Sequence, residues 1–298
     1  MRKVITGFLN QEKLTFDEYI KRVKTLRINQ ISLSHFNKKP LSEINKDDFK
    51  ELQDTIRKEK LRIYLMKVEH EWLNISDEDT HIEALGNLET VVKHAVKLKA
   101  EGIVFKAPFI DDAIKEAEFI QTQFKPFFDL AIKARLEFYL EPHQNQTSNT
   151  YAYLFKKHKW DIQKIVFIPE YMLKNNESTT TNYRILKPFM GLLYVNDFDF
   201  ELKPQLIGFG KTDILKILKR IKRDNLSVSY LIDTKFEQMY YSEKPKQSFL
   251  QKFFRKKDKS KAELTEMQAR LFPNDQEKNV TYSDILENQI KVIEKLIR

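Results

Sequence analysis

Apolar residues along this chain fall into two alternating patterns. The first is a short run in which successive positions are Val, Ile, Leu, Phe or Tyr. Such runs are "KVITGF" (3–8), "INQISLS" (28–34), "LRIYLMK" (61–67), "GIVFKAP" (102–108), "LEFYLEP" (136–142), "KIVFIPE" (164–170), "MGLLYVND" (190–197) and "LSVSYLID" (226–233). Runs of this kind suit parallel strands covered on both faces. The second pattern is a helical stripe. Phe49, Leu52, Ile56 and Leu61 mark one face, and Ile82, Leu85, Leu88, Val92 and Val96 mark the next. Ile114, Ala117 and Phe124 predict a third helix, which Pro126 kinks or splits. Ile214, Leu218 and Ile221 form a stripe after a glycine pair. Ile285, Ile293 and Leu296 fit a last amphipathic helix, with Ser283 placed to cap it.

Strand and helix therefore alternate about eight times, in a span near the ~250 residues that a (β/α)8 TIM barrel takes. An open doubly wound sheet uses the same units. The strand count and the lack of a Gly-rich turn after the first strand favour the barrel. The expectation is one α/β domain over 1–298, with an irregular excursion at 238–280 between the last strand and the C-terminal helix. That excursion contains a basic loop, "QKFFRKKDKSK" (251–261), and a short helical pattern at 261–272.

Composition narrows the class. Apolar residues make up 41% and charged residues 32%, and no apolar run nears the roughly 18 residues of a membrane span. The N-terminal text lacks the apolar stretch and cleavage site of a signal peptide, so a cytoplasmic location is expected. With no cysteine there is no disulfide, thiolate metal site or cysteine nucleophile. The net charge of +9 is concentrated in 251–261, which reads as a solvated loop or as a contact for RNA, a membrane surface or an acidic partner. No nucleic-acid-binding signature accompanies it, and DNA is not an expected partner.

A barrel of this type carries its active site at the C-terminal ends of its strands. The ionisable residues there are His35, Lys67, Lys106, Glu141 followed by His143, Glu170, Asp197 beside Asn196, and Asp233 followed by Lys235. Glu141, Glu170, Asp197 and Asp233 come from neighbouring strands, and converging carboxylates repel unless a cation or shared protons intervene. Oxygen ligands of this kind favour a divalent ion such as Mg²⁺ or Mn²⁺, and an imidazole recruits a softer one such as Zn²⁺. Such an ion polarises a carbonyl and acidifies the carbon beside it. The alternative is that Lys67 and Lys106 neutralise these acids with no metal. A lysine there binds phosphate or carboxylate, polarises a carbonyl, or forms a Schiff base.

The "YLEPH" end of strand five and the "GFGKTD" stretch, within this strand pattern, resemble the xylose-isomerase-like TIM barrels. That superfamily includes sugar isomerases, ketose epimerases, inosose dehydratases and apurinic-site endonucleases. The resemblance implies a metal set in which Glu141 and Asp233 match well. Glu170 and Asp197 match subject to a one-residue shift and to the loss of the family's histidines, one of which is replaced by Tyr194. In strand six, "FIPEYMLK" sets Pro169 or Glu170 at the acid position and Met172 or Leu173 at the histidine position. With 6 histidines in all, the three-metal site of the endonucleases is not available.

Gly208 and Gly210 fall in the loop after strand seven, where backbone N–H groups are able to turn toward a ligand, with Thr212 or Asp213 capping the next helix. A tight βα turn without ligand contact is the other reading. His35 is a candidate base or sugar-hydroxyl contact, and His143 and Asn196 are candidate substrate contacts. Trp72 is a candidate sugar-stacking wall, while His70, His81, His94 and His158 are expected to be structural or exposed. Together these point to an isomerase or epimerase of a sugar, polyol or sugar-phosphate, using a divalent ion and acting on a small carbohydrate. Its catalytic residues would be Glu141, Asp233, Lys67, Lys106 and His35. A metal-free barrel, either a lysine-based lyase or aldolase or a non-catalytic sugar sensor, is the alternative. An oligomer is compatible with either.

Overall fold

Eight parallel strands close into a barrel in a computed structural model of the chain, which describes residues 4–9, 11–26, 29–232, 235, 266, 269–271 and 282–297. The strands are β1 (Val4–Thr6), β2 (Gln30–Leu33), β3 (Arg62–Val68), β4 (Gly102–Lys106), β5 (Glu137–Glu141), β6 (Lys164–Phe167), β7 (Met190–Val195) and β8 (Ser229–Ile232). Each pairs with its sequence neighbours. The ring closes where β8 returns to β1, with Val4 opposite Tyr230 and Thr6 opposite Ile232. Seven of the eight apolar runs each contain a strand whole, and the run 61–67 holds all of β3 but Val68, so the expected (β/α)8 barrel is the one observed.

The helices are α1 (Phe16–Thr25), α2 (Lys46–Lys58), α3 (Glu78–Leu98), α4 (Ala117–Lys133), α5 (Ser148–His158), α6 (Pro169–Lys174), α7 (Thr179–Leu186), α8 (Ile214–Arg223) and α9 (Tyr282–Ile297). Local chemistry starts several of them. Thr15 and Glu18 form a reciprocal capping box at α1, and Asn45 and Asp48 form one at α2. A hairpin of His35–Phe36 with Lys39–Pro40 follows β2.

The barrel interior and the helix–barrel layer are separate apolar clusters. Inside lie Tyr64, Leu65, Val104, Tyr139, Val166, Leu192, Tyr194 and Leu231. The N-terminal floor is closed by aromatic hydroxyls. Tyr64 Oη is 2.8 Å from Ser229 Oγ, and Tyr139 donates to Glu137. A Cβ on Gly102 would lie 2.8 Å from the Tyr139 ring, so the first residue of β4 has to be small for that ring to fit.

Three helical expectations are corrected. On α3 the buried face is Ala84, Leu88, Val91, Val92 and Ala95, whereas Ile82 and Val96 are 61% and 52% exposed. Ile114 is 72% exposed and precedes α4, because Asp112 Oδ1 accepts from the Ile114 and Lys115 N–H groups and forms a turn there. α4 also runs unbroken past Pro126, so the helix is not split in two there. The 238–280 excursion lies outside the described residues except for Glu266 and residues 269–271, and loop 251–261 lies wholly outside them. The side chain of Ser283 is likewise outside. Among the described residues no helix is long and apolar enough to cross a membrane.

Candidate active site

Side chains alternate between the inside and the outside of a barrel strand. Val104 faces inward on β4, and the same parity brings Lys106 to the mouth. On β7, Leu192 and Tyr194 face inward, and the parity continues to Asn196. Lys67 near the end of β3 and Glu141 at the end of β5 complete the inner ring.

Glu141 is its centre. Only 2% exposed, it accepts from Tyr194 Oη at 3.0 Å and Tyr171 Oη at 3.3 Å. Lys67 Nζ lies 3.4 Å from Oε1 and 3.3 Å from Oε2. Burial works against the charge of Glu141. The Lys67 ammonium, the Tyr194 hydroxyl and the charge of Lys106 outweigh it and hold the carboxyl below its ordinary value. Lys67 also lies 5.6 Å from the centre of the Phe8 ring.

Lys106 stands directly across from Glu141 in the β4–β5 register and is half-buried. Asn196 is wholly buried, and neither its Oδ1 nor its Nδ2 has a hydrogen-bond partner. His35 sits in the hairpin just after β2, with Nδ1 2.9 Å from Ser34 Oγ. Burial holds its imidazole below its ordinary value, against the pull of Glu69 and Glu12 and with help from Lys67. Gln11 steadies this corner: its Nε2 donates to the Ser32 carbonyl at 2.7 Å, and its Oε1 accepts from the Ser34 and His35 N–H groups. His143 lies edge-on to Phe109 with centroids 5.5 Å apart, and its backbone N–H donates to Tyr151 Oη.

Two expected ligands are placed differently from Glu141. Glu170 is not at a strand end. It lies in the first turn of α6, where Lys235 Nζ meets its Oε2 at 2.5 Å. Asp197 is 2% exposed and is surrounded by donors of its own loop. Its Oδ2 accepts from the N–H groups of Gly208 (2.8 Å) and Gly210 (2.9 Å). Its Oδ1 accepts from the N–H groups of Phe198 and Thr212 and from Thr212 Oγ1, the last at 2.6 Å. The glycine N–H groups are thus turned toward Asp197 rather than toward the mouth. Asp213 stands at the N-cap of α8, at φ 57°, but its side chain makes no capping hydrogen bond and pairs with Lys216, while the Thr212 hydroxyl is held by Asp197. Asp233 lies outside the described residues.

These observations bear on a divalent ion. The oxygens of Glu141 are met by an ammonium and two hydroxyls, those of Asp197 by five donors, and Glu170 is paired with Lys235. Among the described residues no group of three or more His, Asp or Glu could hold a metal. The described donor set does not fit the ion that the family resemblance implies.

Trp72 is also corrected. It is buried at 2% exposure and stacked on Phe127 within an aromatic cluster with Phe105 and Phe124, so it offers no face to a sugar. His70, His94 and His158 stack on Phe105, Phe49 and Trp160, as structural histidines do, and His81 meets the edge of Trp72.

No family model matches this sequence, and no curated protein does. Solved structures match it along most of its length. A xylose isomerase-like TIM barrel protein from Mycobacterium smegmatis, in complex with magnesium, has a TM-score of 0.65 at 10% identity, over 99% of this chain and 96% of that one. D-psicose 3-epimerase from Clostridium cellulolyticum H10, with D-tagatose, has a TM-score of 0.62 at 15% identity, over 78% of this chain and 84% of that one. The 3-keto-D-glucoside 4-epimerase of E. coli has a TM-score of 0.61 at 13% identity, over 78% and 92%. The fold is a TIM barrel, like that of these structures. Within that fold, the sequence reading missed Tyr171 as a partner of Glu141. Its signal was Pro169, which at a first helical position starts α6 and swings the next two residues over the mouth.

Proposed function

We propose that the barrel mouth binds a carbohydrate-derived small molecule and moves a proton on it, as an isomerase or epimerase does, without a metal ion. One observation carries this reading: a buried, ionised Glu141 fixes the Lys67 ammonium at the C-terminal end of the barrel. A fixed ammonium at a low-dielectric mouth is able to hold the oxyanion that forms when a carbon beside a carbonyl loses a proton. The C–H bond breaks, and its electron pair forms the C=C bond of an enolate whose charge rests on the former carbonyl oxygen. The proton returns to the other face of that carbon, or to the neighbouring carbon as the adjacent hydroxyl passes its proton to the enolate oxygen. His35 is suited to carry that proton, because its lowered pKa keeps the imidazole neutral near neutral pH. Lys106, Asn196 and His143 are assigned to substrate binding. The likeness to sugar epimerases in fold supports the substrate class and does not by itself decide the chemistry.

The test is deuterium exchange. The full chain is incubated in D₂O with a panel of ketoses, aldoses and their phosphates, with and without EDTA, and proton NMR follows wash-in at the carbons beside the carbonyl. The expected result is exchange of one substrate class that EDTA leaves intact and His35→Asn suppresses. Exchange that depends on an added divalent ion overturns the metal-free reading. A second reading has one observation in its favour: Glu141, held by three donor groups, is a poor base, which suits a sugar-binding sensor. Thermal stabilisation by a sugar with no exchange assigns that role, and borohydride trapping of a carbonyl substrate on a lysine assigns a Schiff-base lyase instead.

A further inference from the structure

We infer that the ligand of this mouth carries an acidic group, a carboxylate or a phosphate, and that Lys106 and Asn196 form the subsite that receives it. This rests on the reading of the mouth as a carbohydrate site and adds a charge requirement to it.

Among the described residues at this rim, Lys67, Lys106 and Lys235 are not equivalent. Lys67 is paired with Glu141 and Lys235 with Glu170. Lys106 is half-buried and has neither an ion pair nor a hydrogen bond from its ammonium to any described residue. The acid opposite it in register, Glu141, is already met on both oxygens by Lys67 and two tyrosines. A partly desolvated ammonium whose register-partner carboxylate is engaged elsewhere favours an external anion. The surroundings have the same sign. Apart from burial, the causes lowering His143 are Lys106 and Lys174, with no acid opposing them.

Asn196 supplies the second, independent observation. It is 0% exposed, yet its Oδ1 and Nδ2 are both unpartnered. Leaving a buried polar atom without a partner is costly, so native structures seldom keep two on one side chain without a functional use. The strand alternation aims it inward, above Tyr194, whose hydroxyl touches the same Glu141 that faces Lys106. One carboxylate thus links the two halves of the subsite. The Nδ2 amide supplies two donors for an oxyanion, and Oδ1 accepts from a neighbouring hydroxyl, which is the pairing a sugar acid or sugar phosphate presents.

The experiment uses the full chain and four probes at constant ionic strength: D-fructose, D-fructose 6-phosphate, D-gluconate and inorganic phosphate. Affinities are read by calorimetry and by thermal shift. The expected result is that an anionic probe binds about tenfold or more tightly than fructose, and that the preference collapses toward one in Lys106→Gln and weakens in Asn196→Ala. Lys106→Arg, which keeps the charge, is expected to retain part of it and guards against a folding defect in the Gln variant. Equal affinity for fructose and the anions, anion binding unchanged in Lys106→Gln, or no binding of any anion overturns the inference. In the first two cases a bound sugar leaves the carbohydrate site standing. Conversely, anion binding through Lys106 with no proton exchange on any sugar keeps the subsite and removes the catalytic reading.

Discussion

The Lys67 ammonium sits almost symmetrically between the carboxylate oxygens of Glu141, 3.4 Å from one and 3.3 Å from the other, with side-chain exposures of 18% and 3%. An ion pair this deep costs much to desolvate, and removing one partner strands the other charge. Lys67→Met is therefore expected to lower stability by roughly 3–5 kcal/mol near neutral pH, while Lys67→Met with Glu141→Gln recovers most of the loss. Because the Glu141 pKa is depressed, its contribution is present above the ordinary carboxylate value and is lost as pH falls below that value through the depressed one. The penalty of Lys67→Met should shrink in acid, where the stranded carboxyl takes up a proton. Urea unfolding at neutral and acid pH measures both effects, and a penalty that does not depend on pH contradicts the pairing.

Tyr194→Phe isolates the hydroxyl from the ring. The ring fills the barrel interior and stays, but the 3.0 Å hydrogen bond to Glu141 Oε2 is lost. A hydrogen bond to a charged group contributes about 1.5–3 kcal/mol, and the variant should lose stability in that range. Tyr171→Phe removes a longer bond, 3.3 Å, from a less buried residue, and should cost less. Reversal of that order in denaturant unfolding would show that the ring positions, not the hydroxyls, set the energetics.

How far the sequence revealed this molecule depends on whether a residue's fate is local. Continuous apolar runs give strands because burial on both faces leaves them no other use, and all eight are present. Helix faces were less legible. On α3, small Ala84 and Ala95 let the helix approach closely, while larger Ile82 and Val96 remain exposed, and residue size is invisible to a periodicity argument. The acids show the limit most plainly. Glu141 and Asp197 both close an apolar run in the sequence, yet one meets an ammonium across the barrel while the other is wrapped by backbone donors 11 to 15 residues ahead in its own loop. The partner lies far along the chain in the first case, and in the second it depends on a loop conformation that no spacing rule specifies.

Asp197 and Gly210 lock that loop together. A Cβ on Gly210 would lie 2.2 Å from Asp197 Oδ1 and 2.6 Å from the Phe198 carbonyl oxygen, so glycine is required there by space rather than by a ligand. Gly210→Ala should destabilise by about 1–3 kcal/mol through overpacking. Asp197→Asn turns an NH₂ group toward backbone donors and should cost a similar amount, about 1–3 kcal/mol. Both should release the Gly208, Gly210 and Thr212 amide protons to fast exchange with solvent, which hydrogen-exchange mass spectrometry or NMR reads directly. Retained protection in Asp197→Asn would show that the loop is held by its packing instead.

His70 gives the fold a dependence on pH that is separate from the mouth's chemistry. Its ring stacks on Phe105 with centroids 4.2 Å apart, and its Nδ1 accepts from the Trp72 N–H. Burial first, and then the charges of Lys106 and Lys67, hold its pKa down to about 4. In the unfolded chain the ordinary value is near 6.5, so as pH falls below it the unfolded state takes up a proton that the folded state refuses. The sign follows: the folded state is favoured above about pH 6.5 and loses up to roughly 3 kcal/mol from this group by about pH 4. His70→Asn keeps an acceptor where Nδ1 stands and removes the titration. It is expected to be less stable than the parent near neutral pH, since it loses ring stacking, but to lose less further stability between about pH 7 and pH 5. Urea midpoints across that interval decide it. Parallel curves for the parent and the variant would mean that His70 accepts a proton in the folded state, and that the aromatic stack leaves room for the charge.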